Sequence, residues 1–217
     1  MSNLHSQLKS SLLSGAPIHY IYSPEEERIM RVLQELVNED KLAGFSINSW
    51  TCLNGLDNIA NSQCPVTALK TIINDDLQGI FVFKDVAPFL QNAELVRALR
   101  EAYIDGQNKA QRIIILLCAD LFIPESLKKE INLLDPAPPR EEEIRELLLN
   151  AKKEYENLLI SDETMHEISM ALLGLTENEI IQILKRVSNA EISDKEAFLA
   201  EIFTEKRAVV KKTGFLE

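Results

Sequence analysis

The run Gly79-Ile-Phe-Val-Phe-Lys-Asp85 constrains the fold more than any other stretch of the chain. Ile80 to Phe83 are apolar without alternation, which suits a strand covered on both faces, as in a parallel sheet flanked by helices. Burying four such side chains is worth about 6–12 kcal/mol before chain entropy is subtracted. Ile18–Tyr22 and Arg112–Cys118 (RIIILLC) have the same character, so three strands compete for one interior.

Between these runs the pattern alternates. Leu4, Leu8 and Leu12 recur every four residues until Gly15 and Pro17, which predicts a short opening helix. After the strand Ile18–Tyr22, Ser23-Pro24-Glu25-Glu26 reads as a capping box with proline at the first helical position. Ile29, Val32, Leu33, Leu36 and Val37 continue that helix. Phe45–Cys52 reads as a strand and the residues after it as a polar loop. Pro65 opens a helix carrying Val66, Leu69 and Ile73. A helix from about Asn92 carries Leu95, Val96, Leu99 and Tyr103, and Ile131–Leu134 is a fifth strand. Strands alternating with helices imply right-handed crossovers and a mostly parallel sheet.

After Asp135-Pro-Ala-Pro-Pro139 the strands stop. Arg140–Leu158 reads as a long helix and Ser161 as the cap of another. Thr176-Glu-Asn-Glu179 and Ser193-Asp-Lys-Glu196 read as further capping boxes. The expectation is an α/β domain over residues 1–138 and a four-helix lid over 139–213. Residues 214–217 would begin a linker.

The chemistry such a layout suggests has a specific requirement. In nucleotide hydrolases an apolar strand ending in Asp holds Mg²⁺ near the phosphates, which makes Asp85 a candidate. The phosphates themselves need GxxxxGK[ST] after the first strand, a glycine nest with a lysine and a hydroxyl. Here Ser23-Pro24-Glu25-Glu26-Glu27 holds that position, with no glycine and no lysine, and with an N–H lost at Pro24. Three carboxylates would repel a triphosphate by on the order of 4 kcal/mol per close pair at an effective dielectric of 20, before screening. Val86 follows Asp85 where a glutamate would activate water, and Cys118-Ala119 stands where a polar sensor would. The third lid helix offers no arginine in its first turn. No catalytic, cofactor or metal residue is therefore assigned, and Asp85 is read as a relic.

An α/β unit with an acid ending its third strand and a helical lid is the layout of the AAA+ module. The segments IHYIYSPEEERIMRVL, GIFVFKDVAPFL, RIIILLCADLFIPESLKKEINLLDPAPP, LLGLTENEIIQIL and EKRAVVKKTGFLE narrow this further. Through them the chain resembles the N-terminal domain of a cyanobacterial and plastid-encoded AAA+ ATPase family whose members carry a hypothetical-chloroplast-frame name. The resemblance implies a degenerate module that precedes a complete C-terminal ATPase module, the latter binding ATP and Mg²⁺. It implies partners in that C-terminal module, in further copies or in a client protein, and a cytoplasmic or stromal location. It also implies the strand order 5-1-4-3-2. The apolar runs predict Ile80–Phe83 between Ile18–Tyr22 and Ile113–Leu117, with the last of these innermost. Phe215 and Leu216, apolar beside Lys206, Arg207, Lys211 and Lys212, are interface candidates. A clamp-loader scaffold and a weak nucleotide-binding enzyme are the alternative readings.

Composition excludes several classes. With 34 acids against 23 bases the net charge is −11, so the basic footprint of a nucleic-acid binder is missing. No stretch suits a membrane span or a secretory signal. Cys52, Cys64 and Cys118 are odd in number and widely spaced, as for reduced structural cysteines. His19 reads as a hydrogen-bonded core histidine and His166 as a surface one. Glu141 to Glu143 read as helix-start acids.

Overall fold

A computed structural model describes residues 3–39, 42–57, 59–108, 112–155, 158, 160–190 and 194–212. The chain divides into two compact units, Met1–Pro136 and Ala137–Glu217.

The first unit is α/β. It contains α1 (Asn3–Leu12), β1 (Ile18–Tyr22), α2 (Glu26–Leu36), β2 (Ile47–Thr51), β3 (Gly55–Leu56), α3 (Pro65–Asn74), β4 (Gly79–Lys84), α4 (Ala93–Asn108), β5 (Arg112–Cys118) and β6 (Asn132–Leu134). The sheet runs β3-β2-β4-β5-β1-β6, and every pairing is parallel except β2 with β3. Two expectations need correction. The sheet has six strands, because the stretch read as a polar loop turns back at Asn54 and pairs Thr51 with Gly55 and Trp50 with Leu56. β4 lies between β2 and β5, not beside β1, so Ile80–Phe83 and Ile18–Tyr22 are separated by β5, which is the placement that the order 5-1-4-3-2 implies once the added β3 is set aside. An apolar run tells that a strand is covered on both faces, but it carries no information about which strand lies alongside. β5 is interior, as its seven buried residues require.

One rung crosses the sheet through Trp50, Phe83, Leu116, Tyr20 and Leu133. Side chains alternate faces along each strand. Tyr20, Phe81, Phe83, Ile114 and Leu116 therefore pack with Leu69 of α3 and Leu95 and Leu99 of α4. Ile21, Ile80, Val82, Ile113, Ile115 and Leu117 pack with Leu8 of α1 and Ile29 and Leu33 of α2 on the other face. Gly79 opens β4 at φ +134°, and a Cβ there would meet the Ser46 carbonyl oxygen at 2.6 Å. Only glycine lets Ile80 N–H reach that carbonyl at 2.8 Å and start the ladder in register.

The second unit is all-helical: α5 (Glu141–Glu154), α6 (Asp162–Leu172), α7 (Glu177–Asn189) and α8 (Lys195–Lys212). Ile144, Leu148, Ile168, Leu172, Ile180, Ile183 and Ile202 form its core. At α7 the expected box is present: Thr176 Oγ1 accepts from Glu179 N–H at 3.3 Å and Glu179 Oε2 accepts from Thr176 N–H at 2.8 Å. At α8 the expected cap Ser193 lies outside the described residues, and Asp194 Oδ2 accepts from Ala197 N–H at 3.1 Å. α5 ends at Glu154, short of the expected Leu158, because Tyr155 turns to extended backbone. Arg186 joins α7 to α8 through Glu201 at 2.7 Å and Glu205 at 2.6 Å.

Candidate functional site

The carboxyl ends of β1, β4 and β5 bring together Ser23, Asp85 and Cys118. Two loops are sewn onto β5 there. Ser23 N–H donates to the Cys118 carbonyl and Asp85 N–H to the Leu117 carbonyl, each at 2.9 Å. The β1–α2 connection and the end of β4 thus flank one strand.

The local structure of that connection differs from the capping box expected of Ser23-Pro24-Glu25-Glu26. Ser23 Oγ accepts from Glu25 N–H at 3.1 Å, a turn of the serine type that forms before the helix. α2 then starts at Glu26, with Glu25 at the cap position and making no side-chain cap hydrogen bond. Proline is therefore two residues ahead of the helix, not at its first position.

The Glu25 carboxylate turns instead onto Arg28. Its Oε2 accepts from Arg28 Nη1 at 2.8 Å, with the two side chains only 6% and 4% exposed. Glu26 Oε1 meets Lys84 Nζ at 2.7 Å, the lysine being the last residue of β4. The picture of three unpaired carboxylates facing a triphosphate is therefore revised: Glu25 and Glu26 each hold a cation, and Glu27 is exposed. Sequence reasoning missed both cations. Arg28 was legible in principle as the residue one helical turn from Glu25. Lys84 was not, because only the β5 position between β1 and β4 sets its distance from α2.

Asp85 is exposed and holds φ +51°, in the left-handed region that aspartate tolerates better than most residues. Cys118 is buried, and burial pushes its thiol above the usual range. Tyr20 beneath it donates its hydroxyl to the Asp120 carbonyl and accepts from Phe122 N–H at 3.2 Å, which ties the loop after β5 to β1. Among the described residues no group of three or more His, Cys, Asp or Glu side chains is arranged to hold a metal ion. The β1–α2 connection holds a proline, a serine turn and two carboxylates joined to their cations, with no glycine and no lysine among residues 23–27.

His19 and His166 stand apart from this end. His19 is buried on β1, where Nε2–H donates to the Ala16 carbonyl at 2.8 Å. Nδ1 then accepts from Ser11 Oγ at 3.0 Å and Asn132 Nδ2 at 3.2 Å. Burial lowers its pKa from 6.5 to about 4, against the opposing pull of the Ala16 carbonyl. A lowered base means that protons bind the unfolded chain more strongly. Stability is then complete above about pH 6.5 and falls toward about pH 4, by on the order of 3 kcal/mol for this group. Urea titrations at neutral and acid pH should show a smaller loss for His19→Gln than for the wild type, and parallel losses would contradict the assignment. His166 is exposed and pairs with Glu141 at 2.9 Å, so that acid does more than face a helix dipole. Phe215 and Leu216 lie outside the described residues.

Comparison with known proteins supplies the family. The model of the SpoVK-like AAA ATPase N-terminal domain matches residues 4–136. The AAA domain-containing protein ycf46 of Pyropia yezoensis is 26% identical over 222 residues, covering 99% of this chain and 44% of that protein. Its counterpart in Trieres chinensis is 26% identical over 209 residues, covering 93% and 41%. The chain thus spans less than half the length of these curated relatives. Among solved structures, the E. coli MS115-1 HORMA:CdnC:Trip13 complex contains a chain with a TM-score of 0.64 and 12% identity, covering 94% of this chain and 89% of that one. The FIGL-1 AAA domain in complex with ADP gives 0.61 and 13%, covering 96% and 82%. At such identities the likeness is one of fold, and the fold is that of AAA+ ATPase domains. With well over half of its residues matched and its sheet and helices in that arrangement, the chain belongs to the SpoVK-like AAA ATPase N-terminal domain family.

Proposed function

We propose that this chain is a non-catalytic regulatory or assembly module of an AAA+ ATPase, with ATP and Mg²⁺ chemistry carried by a C-terminal module of the parent protein. The observation that carries this reading is the β1–α2 connection, where Glu25 and Arg28 form a buried ion pair in the place of a phosphate loop. Ser23, Pro24 and Glu25 are in this reading the remnant of that loop, and Asp85 the remnant of a Mg²⁺-holding acid. The coverage of 44% of the Pyropia yezoensis relative supports a parent with room for a further module. Its partners are then that module, further copies or a client protein, with Phe215 and Leu216 as interface candidates. The net charge of −11 speaks against nucleic acid. No helix among the described residues is long and apolar enough to cross a membrane. The plastid-encoded relatives favour the stroma of a plastid, or the cytoplasm of a cell of cyanobacterial type.

Calorimetry of the chain with millimolar ATP and Mg²⁺ tests the reading. The expected result is no binding tighter than about 10 μM, about 7 kcal/mol. A tighter complex would restore the nucleotide-binding enzyme as the better account.

A further inference from the structure

We propose that Asn54-Gly55 is a self-modifying site, at which the asparagine deamidates through a succinimide to isoaspartate and loosens the β2–β3 edge of the sheet.

The reaction needs only water. The backbone nitrogen of Gly55 attacks the side-chain carbonyl carbon Cγ of Asn54 and closes a cyclic imide. Ammonia leaves, carrying the side-chain nitrogen and the proton of the attacking N–H. Water then opens the ring at either carbonyl. Opening at Cγ gives aspartate, and opening at the backbone carbonyl gives isoaspartate, in which the main chain runs through an additional carbon. The attack requires a nitrogen that no Cβ crowds, a side-chain amide that nothing holds, and a backbone that can turn to bring the two together.

Asn54-Gly55 meets all three conditions. It is the one Asn-Gly pair in the sequence. Asn54 is exposed in the hairpin loop, next to Leu53, which is 83% exposed. Its backbone N–H donates to Thr51 Oγ1 at 3.1 Å, but among the described residues no hydrogen bond engages its side-chain amide. The hairpin closes over only two residue pairs, Thr51 with Gly55 and Trp50 with Leu56, at the outer edge of the sheet. So short a ladder opens locally at little cost. The fold also fixes the glycine, because Gly55 holds φ +77° and a Cβ there would meet Ser62 Oγ at 2.5 Å. Asp105-Gly106, the one Asp-Gly pair, is the opposite case. It lies inside α4, where helical hydrogen bonding fixes the backbone, and Arg112 holds the Asp105 carboxylate.

The additional carbon enters where the packing tolerates it least. Leu56 N–H donates to Ser62 Oγ at 2.7 Å, and the Trp50 indole N–H to the Ser62 carbonyl at 2.8 Å. Lengthening the chain just before Gly55 moves Gly55 and Leu56 out of register with Thr51 and Trp50 and draws Leu56 away from Ser62. The α/β unit thus carries a time-dependent, irreversible change at one edge.

Ageing the full chain at mildly alkaline pH tests this, with peptide mapping by mass spectrometry. Isoaspartate is marked by enzymatic methyl transfer from S-adenosylmethionine. Conversion at Asn54 should outrun that at Asn48, Asn61 and Asn92 by about tenfold or more. Asp105 should stay unmodified in the folded chain and isomerise only in urea. Once Asn54 is mostly converted, the aged chain should melt about 3 °C or more below the fresh one. N54Q, whose longer side chain closes a ring far more slowly, should age without that fall. An intact Asn54 in the folded chain overturns the site, as does conversion at Asp105 that keeps pace with it. Equal melting of aged and fresh chains, or an equal fall in N54Q, overturns the loosening of the hairpin.

Discussion

Trp50→Ala should remove about 3–5 kcal/mol of folding stability from the α/β unit, among the largest losses any single truncation can cause. Trp50 is fully buried on β2, stacked on Phe83 at 5.3 Å between ring centroids and meeting Phe89 edge-on at 5.9 Å. Its indole N–H donates to the Ser62 carbonyl at 2.8 Å. That bond fixes the segment between β3 and α3, whose Ser62 hydroxyl in turn accepts from Leu56 N–H at 2.7 Å. Truncation therefore opens a cavity and also orphans a buried carbonyl, two costs that add. Trp50→Phe refills most of the volume without the donor and should lose distinctly less. Urea unfolding followed by far-ultraviolet circular dichroism measures both, and equal stability of Trp50→Ala and wild type would show that this rung is not central to the core.

Arg28→Met should be comparably damaging, by about 3–5 kcal/mol, while Arg28→Met combined with Glu25→Leu should recover most of that loss. The single change leaves a buried carboxylate without its guanidinium. The double change replaces the ion pair with two apolar side chains of similar size next to Ile29 and Leu33, which are buried on the same helix. The coupling between the two substitutions isolates the pair from the other contacts of either residue. Trp50 is the only tryptophan, so its fluorescence follows the unfolding of the α/β unit without a contribution from the helical unit. Additive losses in the double variant would show that the pair is not the element holding this connection together.

Much of the fold was legible in the sequence, and the reason is local. Ile80–Phe83 and RIIILLC are strands because continuous apolar runs of that length cannot be half-exposed. Leu4, Leu8 and Leu12, or Ile29, Val32, Leu33 and Leu36, repeat at the spacing of one helix face and are buried together. The Thr176–Glu179 box was readable because both of its hydrogen bonds close within four residues. Family membership was likewise legible, since segments such as GIFVFKDVAPFL carry it in the order of their residues.

Other features depend on which strands become neighbours. β3 pairs with β2 through only two residue pairs, too few to leave a periodic signal in the sequence. The position of β5 between β1 and β4 follows the order 5-1-4-3-2 that the resemblance implied, yet it separates two runs expected to touch, because no property of an apolar run by itself encodes its partner. The same placement decides the candidate site. Ser23 and Glu25 read as a helix cap from their order alone, yet the β5 carbonyl of Cys118 draws Ser23 into a turn and shifts the helix start. That residues 23–27 contain no glycine and no lysine was visible without any structure. That Lys84 reaches Glu26 across the end of the sheet was decided by the tertiary fold, because that ion pair spans elements far apart in the chain.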